Sequence, residues 1–309
     1  MWAALSVNEL LAATIVASTP LLLASIGELV VEKSGVLNLG VEGMMIVGAL
    51  CAVMGAITTG NHFYAIAASI VGGAALAMVF AFLTQLLTAN QVAAGLAIAL
   101  FGVGATALFG QPFSGAAAQA LPLLRIPVLA DIPVVGDILF RNNVLFYLSI
   151  VLAIGVGWFL RFTRWGLILK AVGENPEAAH AVGFPVIAIR IAAIAFGGAM
   201  AGMAGAALSL VQIPIWVEGL TAQRGWIALA IVVFAGWKVW RCVLGAYIFG
   251  GVSTLQFNLQ AAGSPIPSQY LLMLPYLATI FVLVLISADK YRAKFNAPGS
   301  LGRPFRATA

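Results

Sequence analysis

The sequence predicts an all-α, polytopic transmembrane helix bundle of about nine helices, with eight to ten compatible with its breaks. Three observations carry this. Of 309 residues, 62% are hydrophobic and only 8% charged, where a soluble domain carries about 25% charge. Mean hydropathy is +1.07. Apolar stretches recur along the whole chain, most of them near the roughly 20 residues that cross a bilayer as a helix, the form that satisfies its own backbone in hydrocarbon.

Taken in order, the stretches are 8–27, 36–58, 63–87, 92–109, 144–160, 187–211, 226–236, 243–259 and 270–287. The first follows no basic region and leads directly into further membrane sequence, so no cleavable signal peptide is expected. The second carries Asn38, Gly40, Glu42 and Gly43 and has the composition of a helix broken into two pieces. Asn90 and Gln91 make a tight turn between the third and fourth. An external loop, 111–143, follows; Pro112, Pro122, Pro127 and Pro133 with Asp131 and Asp137 give it an irregular course with short helices. In the sixth, Gly198, Ala201, Gly202 and Gly205 form overlapping small-x-x-x-small pairs, the pattern of close helix packing. The seventh is too short to cross alone; it starts earlier, near Leu220, or is a broken element lined by protein. A basic tail, 289–309, closes what reads as one membrane domain, 1–309.

Charge sets the orientation. With the N-terminus outside and nine crossings, only Arg125, Arg141 and Arg224 of the 15 Lys and Arg residues fall outside, and the other twelve face the cytoplasm. The C-terminus and the loop 161–189 are then cytoplasmic. Within that loop Asn175 is placed as an N-cap, Pro176 suits the first helical position, Glu177 complements the positive helix end, and Gly183 supplies a left-handed stop. A helix of about two turns is unstable alone, so it needs a partner surface. An interfacial helix would show basic residues and bulky anchors; this one offers Glu174, Glu177, Ala178, Ala179 and His180.

Several chemistries are excluded. The net charge of +5 is scattered between apolar runs, with no basic patch for nucleic acid. Cys51 and Cys242 have no metal-ligand spacing and read as packing residues. No phosphate-cradling Gly-x-x-x-x-Gly-Lys-Ser/Thr motif occurs, and His62 and His180 are the only histidines, so no catalytic, metal or cofactor site is expected in this chain.

The run Ser34-Gly35-Val36-Leu37-Asn38-Leu39-Gly40-Val41-Glu42-Gly43-Met44-Met45, followed by Gly173-Glu174-Asn175-Pro176-Glu177-Ala178-Ala179, resembles the permease subunits of ABC importers for simple sugars and nucleosides, within the branched-chain amino acid and ribose permease group. The likeness continues through 196–202, 266–269, 272–276 and Ala297-Pro298, and so covers nearly the whole chain. One departure is plain: Gly236-Trp237-Lys238-Val239-Trp240 lacks the proline of the Gly-x-Trp-x-Pro turn often found there.

The resemblance implies a multi-pass protein of the bacterial inner membrane that forms half of a pathway. It also implies a second homologous permease, an extracytoplasmic substrate-binding protein, and an ATPase subunit with two nucleotide-binding domains that holds ATP and Mg. The helix spanning Glu174, Asn175, Pro176, Glu177, Ala178, Ala179, His180 and Gly183 would couple to that ATPase. Nucleosides or purines are favoured as cargo over free sugars. An ion-coupled secondary transporter is the rival class, with Glu42 its weak support and no inverted repeat behind it.

For the pathway itself, Asn38 and Glu42 are candidates because an intramembrane acid should face a cavity or a partner. Capping the free amides of a broken helix, or pairing with a cation, explains Glu42 equally well. Gln256 and Gln260, four apart and on one helix face, are further candidates near the outer end of the eighth stretch, with Asn258 on another face. Simple hydration accounts for these polar residues more readily. Glu28, Glu32 and Lys33 are expected in a solvated turn.

Overall fold

The computed structural model describes residues 7–127, 130, 132, 135–263, 266–287 and 297–306. Each of the nine apolar stretches contains a helix: α1 (Val7–Lys33), α2 (Val41–Thr59), α3 (His62–Ala81), α4 (Gln91–Phe109), α6 (Val144–Phe162), α9 (Val186–Ala207), α10 (Arg224–Phe234), α11 (Val239–Ala261) and α12 (Ser268–Ser287). Among the described residues, seven helices are long and apolar enough to cross a membrane. Three short helices, α5 (Val135–Leu139), α7 (Arg164–Glu174) and α8 (Pro176–Ala181), lie between them. In the loop 111–143 a small hairpin pairs β1 (Leu123–Arg125) with β2 (Arg141–Asn143) in antiparallel register. Asp131 and Pro133 of that loop, and 289–296 and 307–309 of the basic tail, lie outside the described residues.

Local sequence explains where the helices start and stop. Asn61 Oδ1 accepts from Phe63 N at the head of α3, Asn90 Oδ1 from Val92 N and Ala93 N at α4, and Asn143 Oδ1 from Phe146 N at α6. Gly60 closes α2 at φ +63°.

At the centre α2, α3 and α9 pack against one another, and α1 leans on α9, α10 and α11. Lipid offers no hydrophobic drive between helices, so close contact of small residues holds this core. The expected stripe on α9 is its seam: Gly198 and Gly202 face Gly73 of α3, where a Cβ would lie 2.7 Å from Gly202 Cα.

Three expectations are corrected. The first helix does not end at residue 27 but runs to Lys33, so Glu28 and Glu32 are not in a solvated turn; they are 1% and 0% exposed. The second stretch is broken, yet not into two helices: residues 34–40 form an irregular turn before α2 starts at Val41. The loop 161–189 holds two helices, because the amphipathic α7 precedes the capped one.

The seventh stretch is the broken element lined by protein, and it begins at Arg224 rather than near Leu220. At 11 residues, α10 is about 16 Å long, half of a ~30 Å hydrocarbon layer. The irregular stretch leading into it is satisfied by the loop after α4: Gly115 N donates to Trp216 O, Ala118 N to Pro214 O, Trp216 N to Ala116 O and Leu121 N to Leu210 O.

Candidate functional site

The capped helix forms as its sequence dictates. Asn175 Oδ1 accepts from Ala178 N at 2.9 Å, Pro176 occupies the first turn, and Gly183 stands at φ +94°. Gly183 N donates to His180 O and Phe184 N to Ala179 O, the paired bonds of a Schellman stop. Pro176 and Ala179 face inward, while Glu174, Glu177, Ala178, His180 and Gly183 are exposed. A charged and small-residue face is thus presented outward on an apolar base.

That base is anchored by the described part of the basic tail, 297–306. Phe305 inserts beside Ile168, Val172, Ala179 and Val186, with its ring edge-on to His180 at 5.7 Å between centroids. Ser300 N and Oγ both donate to Gly173 O, at 3.0 and 2.7 Å, and Gly299 N donates to Glu174 Oε2. Beneath lies Arg190, 0% exposed. Its guanidinium donates to Ser34 O at 3.1 Å, Ser300 Oγ at 3.0 Å and Arg303 O at 3.3 Å. Counted on sequence as a loop cation, Arg190 instead ties α9, the turn after α1 and the chain near residue 300 into one knot. Gln91 extends it, accepting from Leu37 N and donating to Arg303 O.

Asn38 and Glu42 are engaged inside the bundle. Asn38 Nδ2 donates to Glu28 Oε2 and Asn38 N to Glu28 Oε1, while Asn38 Oδ1 accepts from Gly40 N. Glu42 Oε1 accepts from Thr221 Oγ1 at 2.5 Å and Gln223 N at 3.0 Å, and Glu42 Oε2 from Gly225 N at 2.7 Å. A carboxylate on α2 therefore caps the free amides of the half-helix α10, complementing its positive end. At the other end of α10 the proline-less turn is built from Gly236 at φ +57° and Trp237 at φ +53°. Trp237 Nε1 donates to Glu32 Oε2, which fixes the ring in that unusual backbone setting.

A cavity of about 660 Å³ opens between α1, α10, α11 and α12. Gln256 lines it and is 4% exposed. Asn258 and Thr254 join it there, whereas Asn38, Glu42 and Gln260 are not on its wall. Asn258 shares the cavity despite its different helix face, because the wall wraps around α11. Across from them Arg224 Nη1 donates to Gln212 Oε1 at 2.8 Å, and Gln212 Nε2 to Val16 O at 2.8 Å. Sequence placed Arg224 outside; its side chain turns into the bundle. Gln212 and Arg224 flank the connection 213–223 between the sixth and seventh apolar stretches, and a polar residue at each end of that connection is the one signal the sequence carries.

The family described as branched-chain amino acid transport system / permease component matches residues 10–285. The chain belongs to this family. A permease by name for glucose, TsgC13 of Haloferax volcanii, is 43% identical over 257 residues, covering 82% of this chain and 78% of that one. The guanosine permease NupQ of Bacillus subtilis is 31% identical over 310 residues, 95% of both. The nucleoside permease NupC of Lactococcus lactis is 33% identical over 282 residues, covering 87% and 89%. No solved structure matches the permease. As an ABC permease it is a transport component rather than an enzyme, a multi-pass protein of the inner membrane, and one that works with ATPase and substrate-binding partners.

Proposed function

We propose that this permease forms half of a translocation pathway for nucleosides or purine bases, paired with a second homologous permease. The observation that carries the reading is the cavity beside α11. Its wall is mainly apolar, with two polar groupings facing each other, Gln256 with Asn258 and the hydrogen-bonded pair Gln212 and Arg224. A nucleoside combines a flat ring with a polar sugar, which suits an apolar wall with a few placed amides. A hexose carries hydroxyls on all sides and calls for a denser polar lining. In this reading Gln256 contacts cargo and Glu42 holds the head of α10, which carries Arg224 of the wall; Asn38 and Gln260 stand off the wall.

The helix α8 couples the pathway to an ATPase subunit with two nucleotide-binding domains, where ATP and Mg bind and hydrolysis takes place. Its exposed Glu177, Ala178 and His180, with Glu174 at the end of α7, support docking, and Asn175, Pro176, Ala179 and Gly183 hold its shape. In this reading the chain crosses nine times, with α10 and its irregular lead-in as the seventh crossing, and the bias of Lys and Arg supports an outside N-terminus and a cytoplasmic α8. ATP-driven closure then tilts α8, and the two permeases rock about their interface to expose the cavity to either side.

The second reading, a simple sugar as cargo, is favoured by the 43% identity to the glucose permease. ATPase activity of the reconstituted complex with its binding protein, measured against guanosine, adenosine, purine bases, glucose and ribose, separates the two. Stimulation by nucleosides or bases alone supports the proposal. Stimulation by sugars alone overturns the cargo and keeps the class.

A further inference from the structure

A second cavity, about 710 Å³, lies between α6, α7 and the start of α11, at the end of the bundle that carries α8. Lys33, Arg161, Lys170 and Lys238 line it from four separate elements, and no carboxylate is among the described lining residues. Lys33 lies within electrostatic range of Lys170 and Lys238, and also of the Glu174 and Glu32 carboxylates. The floor is apolar, supplied by α6 and α11, where Gly157 leaves a gap beneath Val239. Trp237 and Trp240 form one wall. The Trp237 indole N–H is already committed to Glu32, so its ring serves as a flat apolar surface.

Glu174 and Glu32 accompany Lys33, but Arg161, Lys170 and Lys238 brought together on the cavity wall repel one another unless an anion joins them. An apolar floor below a cationic rim, flanked by tryptophans, matches the depth profile of a phospholipid at the membrane boundary. A soluble anion would have no use for the floor, and an acidic protein segment would have none for the long apolar wall between α6 and α11.

We infer that this cavity is a binding site for an anionic glycerophospholipid, its phosphate among Arg161, Lys170 and Lys238 and an acyl chain along α6 and α11. The orientation proposed above decides only that the cytoplasmic leaflet supplies the lipid; binding itself does not depend on it.

Native mass spectrometry of the full-length chain in detergent, with added dioleoyl phosphatidylglycerol, dioleoyl phosphatidylcholine or inorganic phosphate, tests this. Phosphatidylglycerol should be retained preferentially, and Arg161→Gln with Lys238→Gln, both exposed positions, should weaken that retention by about fivefold per charge and about 25-fold together. Arg164→Gln, an exposed cation of α7 off the cavity wall, should change nothing. Equal retention of the two lipids, binding of inorganic phosphate alone, or an equal loss in the Arg164 variant would each overturn the site. Should the double variant not give a monodisperse chain, Lys170→Gln alone carries the test with about a fivefold loss.

Discussion

Glu42 and Gly225 are 183 positions apart in sequence, yet the Gly225 amide donates to the Glu42 carboxylate at 2.7 Å. Nothing larger than glycine fits there. A Cβ at 225 would meet Glu42 Cα at 2.6 Å and Glu42 Oε2 at 2.7 Å. Gly225→Ala should therefore destabilise the folded chain by about 1–3 kcal/mol through overpacking. Glu42→Gln, which keeps the shape and loses the charge, should cost about 1–3 kcal/mol. Thermal unfolding in detergent measures both; unchanged midpoints would mean that the cap does not hold α10.

The α8 surface makes a separable prediction. Glu177→Lys reverses charge at an exposed position, so the chain should fold and insert as before. Uptake, and stimulation of ATPase by loaded binding protein, should fall more than tenfold, on the order of the 1.4 kcal/mol that separates decades. Wild-type uptake in this variant would remove α8 from the coupling role.

Phe305 tests the anchor under α8. Removing its ring from the niche with Ala179 and Val186 should cost about 3–5 kcal/mol locally. Amide hydrogen exchange in 176–181 should quicken in Phe305→Ala while the α2, α3 and α9 core stays protected. Equal protection of 176–181 in both proteins would show that the helix holds its place without the ring.

Gln256 and Gln260 offer an internal comparison. Gln256 is on the cavity wall and Gln260 is not. Gln256→Leu should raise the KM for uptake about tenfold, the loss of one or two hydrogen bonds of about 1 kcal/mol each, and Gln260→Leu should leave it near wild type. Matching effects at both positions would argue that cargo does not contact this wall.

Local chemistry made part of this legible. Asn175, Pro176 and Gly183 are sufficient to write the ends of α8, because capping depends on neighbours within a few residues. The glycine stripe of α9 likewise announces a seam. What sequence could not show is pairing across distance. Glu42 has several partners consistent with its depth, and only the fold brings it to α10. Arg190 looks like a loop cation until the residues near 300 return to it. The helix α7 does not stand out in sequence because its 11 amphipathic residues lie between two apolar stretches, where their polar face has the composition of a connecting loop.

The half-length of α10 bears on how the chain enters the membrane. Eleven residues fall well short of the roughly 20 that make an independent insertion unit, and the polar Gln223 and Arg224 at its head would enter hydrocarbon unaccompanied. It can settle only where Glu42 on α2 and the loop after α4 already await it. The consequence is one of dependence: an element this short takes its position from the first half of the chain, which serves as its docking template.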